Sequence, residues 1–361
     1  MDHIKDRNIT LDFLRFIAAM SVVIYHFKTD YISTLPTASS LASNLYAVTK
    51  FGYMGVDLFF LTSGFVIFAS AMNRDAAAFA ISRFTRVYPT FWLCMSVTAL
   101  VLIFLPDHPT QITLTAYLAN FTLLHDYLGQ RAIDGVYWTL VAELKFYVCI
   151  FLLLLSGVFR HYRVWLTLWL AMTLLFFTAQ QPFFMGWFVD PHYSPYFIAG
   201  IVFYLSMKHG FNKFYSGALL VTYVLACVFG FYNIDDFASN NSLFDRIVVM
   251  VIITAFYLAF YAIANHKINF TYRKVIFVLG GMTYPLYLLH SAIGKRLFNH
   301  YRDDINPLLL LSLITVGMLF AAYLVHHYFE KAVINKLKQL LFNQWDHIKA
   351  YRLKWDWISR T

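Results

Sequence analysis

The chain has 361 residues, of which 60% are hydrophobic and 19% aromatic, and only 13% are charged. A charged share about half that of a soluble domain excludes an ordinary water-soluble enzyme, and long continuous apolar runs exclude the alternating short segments of a β-barrel. The net charge of +9 would suit a nucleic-acid binder, but its distribution along the chain gives it another meaning.

Ten apolar segments approach the roughly 20 residues that a spanning helix needs: 10–29, 51–72, 86–105, 137–157, 164–180, 194–208, 214–231, 247–264, 275–293 and 307–329. Backbone groups in lipid must be satisfied internally, so the fold expected is all-α: a polytopic integral membrane bundle of about ten transmembrane helices with no separate soluble domain. The transmembrane domain would cover 1–330, and 331–361 would form a basic, aromatic cytoplasmic tail. The first span follows Lys5 and Arg7 as a signal peptide would. It carries Arg15 and His26 and lacks a persuasive cleavage site, so it reads as a retained helix.

With both termini in the cytoplasm, 19 of the 28 Lys and Arg fall in cytoplasmic segments. This positive-inside bias marks orientation and contact with anionic lipid, and nucleic acid is not needed to explain it. Lys295, Arg296 and Arg302, in one outer loop, break the rule. Arg74 through Arg86 is expected to be a cytoplasmic loop. Residues 111–124, after Pro106-Asp107-His108-Pro109, are too short to span and suit a re-entrant or interfacial helix. Pro89, Pro195 and Pro307 fit first-turn positions, whereas Pro285 should kink or break the ninth span. The tail, with Trp345, Trp355 and Trp357, suits an interfacial helix whose simplest role is anchoring. No internal repeat is evident. Cys94, Cys149 and Cys227 sit in apolar runs and read as packing residues, which argues against a disulfide framework or a metal cluster; no bound cofactor is expected.

Arg15 and His26 are eleven residues apart, about three helical turns, so they share a face at about 16 Å separation. Ionisable groups in a span are costly and mark function. By the topology above, His26, Asp57, Glu143 and His290 collect in one outer layer, and Arg15, Arg83 and Arg86 in a cytoplasmic one. A buried imidazole can take a hydroxyl proton or attack an acyl carbon. Arginines can grip a phosphorylated donor. Tyr284, Trp138 and Ser63, with His290, are candidate acceptor-side or supporting residues. Asp57 and Glu143 could instead neutralise a base such as Lys145, Arg15 could snorkel, and Ser63-Gly64 reads as close helix packing more than as a nucleophile. His125, His192 and His326-His327 read as interfacial or surface residues.

Taken together, several segments resemble the membrane acyltransferase 3 family, which includes O-acetyltransferases of bacterial polysaccharides. They are the Arg15–His26 spacing, Gly55-Val56-Asp57-Leu58-Phe59-Phe60 with Ser63-Gly64-Phe65, Arg83-Phe84-Thr85-Arg86 before Pro89, Trp138 with Glu143, and Tyr287-Leu288-Leu289-His290. The resemblance runs from Leu11 to about Glu330. It implies a bacterial inner-membrane enzyme that takes acyl-CoA, usually acetyl-CoA, from the cytoplasm as co-substrate. The acceptor would be a hydroxyl of an envelope glycan or lipid-linked saccharide on the outer side. By the likeness His26 is catalytic with Arg15 as its partner, Arg83 and Arg86 bind the CoA phosphates, and Asp57 and Glu143 line the reaction centre. Phe13, Pro285 and Lys145 depart from the family pattern, and no proline follows Glu330. A proton-coupled transporter, or an acyltransferase acting on a lipid or small molecule, are the rival readings.

Overall fold

Thirteen α-helices account for nearly all of the residues that the computed structural model describes, namely 9–32, 40–105, 112–179, 190–238, 241–268 and 273–358. Lys5, Arg7 and Pro106-Asp107-His108-Pro109 lie outside them, as do the side chains of Trp355 and Trp357. In chain order the helices are α1 (Ile9–Ile32), α2 (Ser40–Thr49), α3 (Gly55–Ala71), α4 (Ala76–Phe104), α5 (Leu114–Phe121), α6 (Tyr137–Leu155) and α7 (Tyr162–Ala179). They continue with α8 (Ser194–His209), α9 (Lys213–Phe237), α10 (Leu243–Ala264), α11 (Arg273–Tyr301), α12 (Pro307–Leu324) and α13 (Lys331–Ile358). Among the described residues there is no strand.

Local chemistry sets several of the starts. Asp75 accepts the Ala78 amide at 2.7 Å, Asn212 accepts that of Tyr215 at 3.0 Å, and Ser242 and Asp245 form a reciprocal capping box. Each satisfies amides that a helix N-terminus leaves orphaned. Hydroxyls inside the spans, such as those of Thr62, Thr98 and Thr222, turn back onto the carbonyl four residues earlier. That allows a polar residue to sit in an apolar bundle.

Among the described residues, nine helices are long and apolar enough to cross a membrane. The one expected span not among them, 194–208, is α8, only 16 residues or about 24 Å, with nearly every side chain buried among neighbouring helices. Large apolar residues including Leu100, Leu152, Leu168, Leu220, Val251, Leu258, Leu313 and Phe320 point outward, the girdle expected of a lipid-facing surface. The molecule is a multi-pass membrane protein. Helix α5, eight residues or about 12 Å, is too short to cross, in line with the expectation for 111–124.

Four sequence expectations change. Asp75 starts α4 early, so Arg83 and Arg86 lie on a continuous helix in place of a loop, and Pro89 falls in the helix interior. There it removes the bond its amide would give the Thr85 carbonyl. Pro285 does not break α11, which runs on to Tyr301 and takes Lys295 and Arg296 with it. Pro195 and Pro307 do occupy first-turn positions. The tail continues the last span through a π-helical turn (Val325–Glu330) into α13, which packs against α4.

Small residues bring the central helices together. A Cβ on Gly64 would collide with the Phe197 carbonyl oxygen and one on Gly200 with that of Leu61, so α3 and α8 cross at backbone contact. Gly55 meets the Ala18 carbonyl and Gly280 the Asp12 side chain in the same manner. These contacts clamp α1 between α3 and α11. Gly64 thus does the close packing expected of the Ser63-Gly64 pair, and Ser63 is released for another task.

Candidate active site

Clamping α1 against α11 brings His26 beside His290. His290 Nε2 lies 3.1 Å from His26 Nδ1, His26 Nδ1 is also 3.0 Å from the Val22 carbonyl oxygen, and His290 Nδ1 is 2.8 Å from that of Tyr287. His290 is wholly buried, whereas His26 is half-buried and lines a cavity of about 270 Å³. Asp57, Trp138, Tyr53, Tyr193, Tyr196 and Tyr287 line the same cavity. Tyr196 donates a hydrogen bond to Asp57, and the Trp138 and Tyr193 rings lie 5.4 Å apart.

Behind the imidazoles sits Asp134, a residue that sequence reasoning missed. It is 1% exposed. Its two oxygens accept the Val136 amide at 3.2 Å and the Ala292 amide at 2.9 Å, tying the loop before α6 to the helix carrying His290. Burial pushes its carboxyl above the ordinary range, while those amides, the Ser291 hydroxyl and the nearby His26 oppose the shift. An acid before Gly135 at the mouth of a span, in Asp134-Gly135-Val136, was the available signal.

Glu143 does not join the imidazoles. It starts six residues, about 9 Å, along α6, level with Ser63 of α3, and accepts the Ser63 hydroxyl at 2.7 Å. Tyr147 also bonds it. A narrow space of about 60 Å³ surrounds Glu143, Ser63, Arg15, Tyr284 and Tyr287. Tyr284 donates to the Val87 carbonyl at 3.1 Å, and Thr139 donates to the Tyr287 hydroxyl at 2.9 Å. The expected single layer of four groups is therefore two layers, with Asp57 and both histidines in one and Glu143 at the waist. Lys145, two positions on, lies 5.7 Å from the Tyr127 ring.

On the other side of the waist, against Arg15, Ser63, Glu143 and Tyr284, lies a cavity of about 790 Å³. Arg15, Arg74, Arg83, Arg86, Lys208 and Lys338 line it, against the acids Asp12 and Glu143. Arg83 lies 5.9 Å from both the Phe79 and Tyr147 rings, donates to Ser82, and its Nε has no hydrogen-bond partner among the described residues. Arg86 differs, because Glu330 faces it at 3.7 Å. Glu330 is further held by His326 at 2.7 Å and Thr90 at 3.0 Å. His326 is thus a packed internal residue, as is His125 at 1% exposure. His192, on the rim of the histidine cavity beside Asp190, and His327, half-buried 3.1 Å from Lys331, fit the surface expectation.

The three cavities run in series. The histidine cavity shares Val56 and Tyr287 with the waist, and the waist shares Arg15, Ser63, Glu143 and Tyr284 with the cationic cavity. Among the described residues, no group of three His, Cys, Asp or Glu is placed to hold a metal ion.

A helical membrane bundle with a cationic cavity joined to an imidazole pair is the frame of a membrane acyltransferase. A family model described as an acyltransferase domain matches residues 8–327, and the chain belongs to that family. It is 24% identical over 289 residues to a candidate acetyltransferase of Acidianus two-tailed virus, covering 79% of this chain and 82% of that protein. It is 28% identical over 157 residues to O-acetyltransferase OatA of Staphylococcus aureus, covering 38% of this chain but 23% of the relative. Acyltransferase MdmB of Streptomyces mycarofaciens is 25% identical over 142 residues, 37% of this chain and 36% of that protein. The chain thus spans well under half of the two bacterial relatives. No solved structure matches.

Proposed function

We propose that the protein moves an acyl group, acetyl in the first instance, from acyl-CoA on the cytoplasmic side to a hydroxyl of an envelope carbohydrate on the outer side of a bacterial inner membrane. The observation that carries this reading is the row of cavities linking six cationic side chains to the His26–His290 pair through the bundle. The basic bias of the segments on the Arg83 side supports cytoplasmic termini. No resident cofactor enters the scheme.

In this scheme Arg83, Arg15 and their neighbours hold the phosphates of the donor. The thioester arm extends past Ser63 and Glu143, whose hydrogen bond parts to admit it. The acceptor lies among Trp138, Tyr193 and Tyr53, ring faces that pack on the apolar side of a sugar, while Asp57 accepts a hydroxyl hydrogen. His26 takes the proton of the reacting hydroxyl as its oxygen attacks the acyl carbonyl carbon. The carbon–sulfur bond then breaks, and His26 returns the proton to the departing thiolate, giving an ester and free CoA thiol.

Mass spectrometry of envelope glycans from cells with and without the gene tests the reading. An acetyl mass gained only with the gene, and labelled when purified protein is given labelled acetyl-CoA, is the expected result. An acyl group gained instead by a lipid or small molecule, with unchanged glycans, would overturn the acceptor assignment.

A further inference from the structure

Two carbonyl oxygens dictate where the protons of the histidine pair reside. A carbonyl oxygen only accepts, so each ring nitrogen facing one must carry hydrogen. The Tyr287 carbonyl therefore fixes His290 as its Nδ1–H form, which leaves a lone pair on His290 Nε2. That lone pair accepts the hydrogen of His26 Nδ1, for which the Val22 carbonyl one turn back is a second, shared acceptor. The chain of hydrogen bonds runs one way, from His26 to His290, and protonating His290 Nε2 would set two N–H groups against each other.

We propose that His290 is the positioning residue of this site, which holds His26 as the Nδ1–H tautomer and so puts the basic lone pair on His26 Nε2. The proposal deepens the acyl-transfer reading and, for its catalytic consequence, rests on it. When His26 receives a proton at Nε2, its Nδ1–H keeps an acceptor on each side, so the imidazolium is supported without rotation of the ring. The logic is that of the carboxylate behind a catalytic histidine, with a neutral imidazole in the carboxylate's place. Burial suits that exchange, because a neutral acceptor avoids placing an uncompensated charge behind His26. The burial contrast, with His290 enclosed and His26 on the cavity wall, assigns which ring meets substrate.

The experiment uses the full chain, labelled with ¹⁵N-histidine, in phosphatidylethanolamine and phosphatidylglycerol vesicles. Solid-state ¹⁵N spectra separate the two tautomers, and subtraction of a His26→Gln spectrum isolates His26. Wild-type protein is expected to show His26 as Nδ1–H. His290→Gln, whose amide oxygen can accept from His26, should keep that signal, and His290→Leu, which leaves the Val22 carbonyl as the remaining acceptor at Nδ1, should admit part of the Nε2–H form. Where acetyl transfer from acetyl-CoA is followed, His290→Leu should lower kcat by about 10²-fold, within the range a well-poised base is worth. Donor KM should not change, and His290→Gln should recover most of the loss. Finding His26 as Nε2–H in the wild type overturns the proposal, as does equal activity loss in both variants with matching thermal melts. The spectra need no turnover, so absence of acetyl transfer would defeat the functional reading and leave the tautomer result to stand or fall alone.

Discussion

The two ends of the passage are built on different principles. Around His26 the cavity is small, walled by rings, and organised by directed hydrogen bonds that specify which nitrogen bears a proton. Around Arg83 it is about three times larger and organised by an excess of like charge, six cations against two acids. Proton transfer fails when a lone pair points the wrong way, so the first end requires orientation. Holding several phosphates requires field strength, and a missing cation is partly covered by its neighbours. The two ends should therefore respond differently to substitution.

The sharpest break is His26→Ala. We expect kcat to fall by about 10²–10⁴-fold, the usual worth of a general base, while acyl-CoA still binds. Calorimetry alongside a turnover assay checks both halves, and full turnover would remove His26 from its role. At the other end Arg83→Ala should act on the donor instead, weakening acyl-CoA binding by about 10-fold, the scale of one charge-assisted hydrogen bond. Arg86→Ala should weaken it less, because Glu330 already neutralises part of that charge. Equal losses at Arg83 and Arg86 would show that the Glu330 contact does not matter for the donor.

This contrast was only partly legible in the sequence. Apolar run length gave the bundle and nine of the ten expected spans, because lipid leaves the backbone few choices. Helical spacing placed Arg15 and His26 on one face. What sequence could not supply was relative depth between helices: Glu143 and His26 share a layer only if their helices start level, and α6 starts where the Asp134 loop allows. Asp134 itself lies outside every span, where apolar periodicity carries no information. Lys338 was hidden for a different reason. A basic tail has many uses, and only the continuous helix through Val325–Glu330 turns it back onto α4.

Asp134→Asn asks how far the histidine end depends on its frame. An amide keeps one acceptor and sets an NH₂ against one of the two amides that Asp134 now satisfies, a cost of about 1–3 kcal/mol for an unpaired buried group. A lower melting temperature in detergent is the expected result. The pH dependence has a definite sign. The folded carboxyl is pushed above its unfolded value, so its contribution to stability is complete below the unfolded pKa and is lost as pH rises through the folded one. The advantage of wild type over Asp134→Asn should therefore shrink from about pH 4 upward. An advantage that grows with pH would show that the two amides outweigh burial.

The smallest expected effect concerns Lys338, which lines the cationic cavity from α13, beyond the end of the acyltransferase match at residue 327. If that end works through summed charge, a cation from outside the family region should count like the rest, though weakly. Lys338→Glu changes the local balance by two charges at a partly solvated wall, where one ion pair is worth about 0.2–1 kcal/mol. Donor KM should rise by about two- to tenfold with kcat unchanged. The rise should shrink as ionic strength increases, because screening acts most strongly on such sites. A change in kcat instead would mean that α13 acts on the geometry of the passage, and that the distinction between an oriented end and a charged end has been drawn in the wrong place.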